Sequence, residues 1–293
     1  SSLHEHTAQV GILGIDFASE GPFSRSKGSS YLFNYRYSTL GLLSDLKINN
    51  TGQLIKYQDL SFKLNFPTEK AGNFSLWGIG GIDNTHKDPL RTPADWKTDI
   101  DRVNNNWNTY VGTIGLRHQI TAGEKSFVES HIAFSGTDDL ITTDYLSDDA
   151  SLLTPDSRLK KQNGTLTLAT SLTHKLSSLA TLKAGITHKQ LFYNYNLSAA
   201  QNYVPNTYGR IVNSSGNTDF TEVYGQVKYQ LSPSFLVNVG LHTNYFGLNK
   251  KLSVESRAGL AWKMSKLHSL SFGYGRHSQL EDLNIYMIEG GGG

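Results

Sequence analysis

Between Leu60 and Phe66 every second residue is apolar (Leu60, Phe62, Leu64, Phe66), and the residues between them are Ser61, Lys63 and Asn65. A side-chain period of two marks a strand with one apolar and one polar face. The period recurs along the chain. Val223, Val227, Tyr229 and Leu231 alternate with Tyr224, Gln226, Lys228 and Gln230, and similar patterns cover 235–244 and 254–264. The pattern predicts twelve strands, over roughly 8–19, 29–39, 58–66, 73–84, 107–120, 126–137, 163–174, 180–196, 218–231, 235–247, 253–264 and 269–280. No segment carries a helical period over ten or more residues, so the chain reads as all-β. Globular strands usually have about five or six residues, whereas a tilted membrane-crossing strand needs about nine to eleven. Most of the predicted strands reach the second length.

Connections separate the candidate architectures. Tight links are expected at Pro67–Gly72, Thr121–Lys125, Leu176–Leu179, Ser232–Ser234 and Ser265–His268. Long polar segments are expected near 40–57, 85–106, 138–162 and 197–217, in strict alternation with the tight links; only the link near 248–252 is short where a long one is due. Short periplasmic turns alternating with longer extracellular loops are the pattern of an antiparallel transmembrane β-barrel. Phe23, Phe66, Phe74, Phe127 and Phe235 lie beside the short turns, as an aromatic girdle at a membrane interface would. On this pattern Leu64, Val227, Val239 and Leu260 face lipid, and Lys63, Gln226, Asn238 and Arg257 face the lumen.

The remaining composition fits. A formal charge of +2 carries no mark of a nucleic-acid partner, and the absence of Cys removes thiol chemistry and Cys-ligated metal. No run of eighteen apolar residues is present, which excludes a membrane-spanning helix but not a barrel. The short turns place the start of the first predicted strand and the end of the twelfth outside the cell. Complete even-numbered barrels keep both termini in the periplasm, so at least one further strand is expected on each side. Residues 1–289 read as a partial barrel domain and 290–293 as a Gly tail.

Five segments carry a family resemblance: Gly11–Phe23 (GILGIDFASEGPF), Tyr31–Leu43 (YLFNYRYSTLGLL), Tyr57–Thr68 (YQDLSFKLNFPT), Phe74–Gly81 (FSLWGIGG) and Leu270–Glu281 (LSFGYGRHSQLE). They resemble strand and turn signatures of TonB-dependent outer-membrane receptors of Bacteroidetes type, the branch with a carboxypeptidase-regulatory-like N-terminal domain. The resemblance implies a 22-stranded barrel of which about twelve strands are present here. It further implies a plug and TonB box N-terminal to this segment, a place in the bacterial outer membrane, and nutrient uptake driven through the TonB complex. The nutrient is left open among glycan, peptide and metal chelate.

Candidate chemistry is sparse. His118, His131, His174, His188 and His242 lie on predicted strands without a metal-binding motif and read as lumenal or interfacial polar residues. Asp138, Asp139, Asp144, Asp148, Asp149 and Asp156 form an acidic stretch without EF-hand spacing. No catalytic residue, metal or cofactor is assigned. Ligand contact is expected from Trp96, Trp107, Tyr145, Arg158, Tyr203 and Tyr208, because rings bind sugars and planar ligands and Arg pairs with carboxylates. Two alternatives to a receptor are a barrel hydrolase and a passive porin-like channel. A hydrolase would need Ser and His on one face, whereas His277 and Ser278 are neighbours and point to opposite faces.

Overall fold

A computed structural model describes residues 3–11, 14–24, 26–38, 40, 42, 53–200 and 208–287, the side chains of 53, 54 and 208 excepted. Thirteen strands form one sheet in sequential order, each antiparallel to the next. They are β1 (Glu5–Val10), β2 (Ile15–Ser24), β3 (Ser29–Tyr37), β4 (Gln53–Pro67), β5 (Asn73–Lys87), β6 (Val103–Ala122) and β7 (Ser126–Leu146). The sheet continues with β8 (Leu153–Lys175), β9 (Ala180–Ala200), β10 (Tyr208–Ser232), β11 (Phe235–Phe246), β12 (Lys251–Lys263) and β13 (Ser269–Gly275).

The pairing register carries the period of two across the whole wall. On β4 to β8, Leu64, Leu76, Leu116, Ile132 and Leu168 form one cross-strand row, and one residue along lies the row Asn65, Ser75, Arg117, His131 and Ala169. Leu64, Val227, Val239 and Leu260 share the apolar face, and Lys63, Gln226, Asn238 and Arg257 share the polar one. Ile114, Phe134 and Val239 on the apolar face are 51%, 50% and 50% exposed, so this side has no protein core against it. A water-soluble wall rarely leaves so continuous an apolar surface uncovered.

Several boundaries differ from the sequence reading: the predicted strand 269–280 ends at Gly275, and residues 208–217 of the predicted loop 197–217 belong to β10. The predicted strand 8–19 is a hairpin: Gly11 N donates to Gly14 O at 2.9 Å and the chain reverses into β2. The predicted long loop 138–162 is mostly strand, since β7 runs to Leu146, β8 begins at Leu153, and only 147–152 turns. Strands β6 to β10 reach 20, 21, 23, 21 and 25 residues, about twice what a bilayer needs. Their outward continuation explains the misreading. Above the apolar band comes the row Tyr110, Asp138, Gln162, Asn194 and Ser215, on the same face as Ile114 and Phe134. Asn194 Nδ2 donates to Gln162 Oε1 at 2.8 Å, and Gln162 Nε2 donates to Asp138 Oδ2 at 2.9 Å. There the outer face turns polar while the inner face carries the row Trp107, Ile141, Leu159, Leu197 and Val212, so the contrast that marks the band is lost, yet the ladder continues.

At the short-turn end the aromatic girdle is present on the apolar face. Phe23 stacks on Phe66 at 6.1 Å, Phe74 on His118 at 4.4 Å, and Phe235 on Trp262 at 5.5 Å. Phe127 is not part of it, because it pairs with Thr121 and Thr173 on the polar face. Gly72, at φ +79°, permits the tight β4–β5 turn; a Cβ there would collide with the Gln119 carbonyl and Ile120 of the next strand.

The face assignment predicts a sharp asymmetry. Val239→Arg is expected to cost about 2–4 kcal/mol of membrane stability, and Asn238→Arg, one residue away on the polar face, clearly less. Urea unfolding in lipid vesicles reads the difference, and equal costs would mean that the register is wrong.

Candidate functional site

Of the residues singled out for ligand contact, Trp96, Trp107, Tyr145 and Arg158 have described side chains, and Arg158 lies on the opposite face from Trp107 and Tyr145. Trp96 sits in the β5–β6 connection, where its indole N–H donates to Leu90 O at 2.7 Å and the Arg102 guanidinium lies over its ring at 5.0 Å. Arg102 also donates to Leu146 O through Nε and Nη2, at 3.0 and 2.8 Å, and pairs with Asp148 at 2.6 Å, which pins this connection to the β7–β8 turn. Trp107 and Tyr145 face the polar side of β6 and β7, four register positions apart (Trp107 pairs with Ile141). Arg158 points to the other face, where it pairs with Asp144 and donates to the carbonyls of Thr143 and Ser157, both at 2.8 Å. It is a cross-strand brace. Tyr203 and the side chain of Tyr208 lie outside the described residues.

The histidines divide between the faces. His131 and His242 are on the polar side. His118, His174 and His188 are on the apolar side, with a partner each: the Ala71 carbonyl at 2.6 Å, Ser126 Oγ at 2.8 Å and Thr221 Oγ1 at 2.9 Å. Among the described residues no group of His, Asp and Glu is placed to hold a metal. In the acidic stretch, Asp149 caps the β7–β8 turn. Hydrogen bonds from Ser147 Oγ (2.5 Å), Ser151 Oγ (2.7 Å) and Ser151 N (3.1 Å) hold its carboxylate, the Ser147 bond foremost, and lower its pKa from 3.8 to about 2.

A different assembly stands out on the polar face. Leu191 and Tyr195 of β9, Val212 of β10 and Phe246 of β11 form a buried apolar cluster there with Leu283. Leu283 belongs to a segment that leaves β13, crosses back over β12 to β8, and makes a 3-10 turn over Leu283–Met287. At the start of this segment Arg276 N donates to Ser256 O at 3.1 Å. Glu255, 1% exposed, then accepts from Ser278 N at 2.7 Å and Ser278 Oγ at 2.5 Å. The same carboxylate meets Arg257 at 2.8 Å, His242 at 3.1 Å and Asn244 Nδ2 at 3.2 Å. Further along, Asp282 pairs with Lys161 at 2.6 Å, Tyr286 packs on Phe246 at 5.4 Å, and Ser214 Oγ meets the Met287 sulfur at 3.4 Å. Beneath lie Tyr193 stacked on Tyr195 at 5.6 Å and the Lys189 ammonium 5.4 Å from the Phe220 ring.

Sequence reasoning missed this cluster, though a signal was there. Leu191, Tyr193 and Tyr195 occupy polar-face positions around outward-facing Phe192, so the alternation that governs the rest of β9 fails at that point. The Ser–His alternative also loses its footing here, because Ser278 Oγ donates to a carboxylate and not to an imidazole.

Lowering of the Asp149 pKa gives the turn a definite acid sensitivity. Its hydrogen bonds contribute fully above the ordinary value of 3.8 and are lost as pH falls toward about 2. A carboxyl-carbon NMR titration of Asp149 is expected to show a midpoint near 2, and a midpoint near 3.8 would mean that Ser147 and Ser151 do not hold it.

No family model matches the sequence, and no curated protein is significantly similar to it. Solved structures are similar in fold. The siderophore receptor PiuA from Acinetobacter baumannii superposes with a TM-score of 0.65 at 13% identity over 93% of this chain and 48% of its own. The ferric-catecholate import receptor Fiu from E. coli K12, in its closed form, gives 0.63 at 11% over 94% and 50%. The siderophore receptor PirA from A. baumannii gives 0.61 at 14% over 92% and 41%. The chain spans about half the length of these receptors or less, and its fold is that of their outer-membrane β-barrel wall.

Proposed function

We propose that this chain forms part of the barrel of a TonB-dependent outer-membrane receptor, of the Bacteroidetes type that its strand and turn signatures resemble. The observation that carries the reading is a thirteen-stranded antiparallel wall, apolar on one side, that follows siderophore receptors along more than nine-tenths of its length. In that reading the apolar face meets the bilayer of the outer membrane and the polar face lines the lumen. The TonB complex would engage segments N-terminal to this wall, and ligand would be met by the lumen and the outward extensions of β6 to β10. A nutrient carried as glycan, peptide or metal chelate is compatible with these surfaces. A porin-like channel would share the wall and differ by lacking a plug.

The intact protein is expected to fractionate with outer membranes of a Gram-negative host. It should also migrate faster on gels unheated than heated, as closed barrels do. A β-rich protein that stays in the aqueous fraction without detergent would overturn the reading.

A further inference from the structure

Apolar residues on a water-facing wall need a reason. Leu191, Tyr195, Val212 and Phe246 lie buried on the face that carries most of the wall's polar residues, and what covers them is the segment 279–287. This segment holds on differently from everything around it. Among the described residues no backbone hydrogen bond joins 279–287 to the wall; its backbone bonds, such as Ile285 N to Asp282 O at 3.0 Å, stay within the segment. Side chains alone hold it: Asp282 on Lys161, Leu283 in the cluster, Tyr286 on Phe246 and Met287 at Ser214. A segment without a ladder can leave while the ladder beneath it stays intact. Its residues also describe what the wall accepts, namely a carboxylate at Lys161 and, next to it, an aliphatic and an aromatic group.

Resting on the receptor reading above, we propose that this inner-wall patch is a binding site for an acidic peptide and that segment 279–287 is its resting, displaceable occupant. Lys161 supplies the cationic anchor, with its ammonium largely covered when paired. Phe246 and Tyr195 supply the apolar floor. Ser278, fixed to the buried Glu255 carboxylate, is the point about which the segment swings, because that anchor does not depend on the patch. An incoming peptide competes with a tethered copy of its own chemistry, so the site admits ligand in proportion to the fraction of time the segment is away.

The test uses the intact protein purified in detergent and a fluorescent synthetic peptide with the sequence of residues 278–287. The double variant Asp282→Lys/Leu283→Asp drives the resident segment off the wall. It should bind the peptide about tenfold or more tightly than the native protein does, since the occupied fraction no longer lowers the apparent affinity. Adding Lys161→Glu should abolish the gain. Heat-modifiable migration of each variant reports that the wall is folded, independently of binding. Equal binding to all three folded proteins, or no binding to the double variant, would overturn the proposal and leave the barrel reading untouched.

Discussion

In hydrocarbon a peptide N–H or C=O has no water to bind, and each one left unpaired costs several kcal/mol. This wall therefore depends on its ladder before anything else. The ladder passes through thirteen strands in sequence order, so each strand finds its partner in the next. Four register shifts interrupt it, at Pro22/Ser24, Thr143/Asp144, Arg210/Val212 and Gln230/Ser232. All four sit near strand ends, away from the rows that carry Leu116, Ile132 and Leu168. A one-residue slip inside the band would turn those leucines inward and the row of Arg117 and His131 into lipid. Irregularity is placed beyond the band or where a turn begins, and there it leaves the apolar face intact.

The same constraint explains what was legible in the sequence. Across the membrane the two faces meet different solvents, so the side chains record the period, and Leu64, Val227, Val239 and Leu260 could be placed on one face from spacing alone. Beyond the row of Asp138, Gln162 and Asn194 the outer face is polar too, and the inner face carries apolar residues such as Ile141, Leu159 and Leu197. Backbone pairing goes on there, but the contrast of the band is lost, and residues 138–146 read as loop. The β1–β2 reversal was hidden for another reason: apolar residues between Gly11 and Gly14 continue the look of a strand through the turn. Arg158 was singled out on its chemistry alone. Its chemistry suits a ligand carboxylate, and a carboxylate does meet it, but that carboxylate is Asp144 across the β7–β8 pair.

The inner-wall cluster inverts the logic of the band. There the alternation fails because Leu191, Tyr193 and Tyr195 give a water-facing surface apolar character. Such a patch is a standing cost unless it is covered. Two kinds of anchor share the covering. Near its root the segment is fixed by Ser278 to Glu255, a carboxylate buried to 1% exposure that also meets Arg257, His242 and Asn244. Hydrogen bonds to a charged partner of this kind contribute about 1.5–3 kcal/mol each. Farther out, burial of Leu283 contributes about 1.5–3 kcal/mol, Leu280, Tyr286 and Met287 add packing, and the Lys161–Asp282 pair, whose carboxylate is half-exposed, adds about 0–1 kcal/mol. The root is thus held by contacts that do not involve the patch. Detaching residues 279–287 uncovers Leu191, Tyr195, Val212 and Phe246 and breaks one ion pair but no strand pairing, whereas detaching Ser278 would take two hydrogen bonds from a buried carboxylate. The wall's geometry therefore divides this segment at a definite residue into a fixed part and a releasable part, and the releasable part is the one lying on the aromatic and cationic surface.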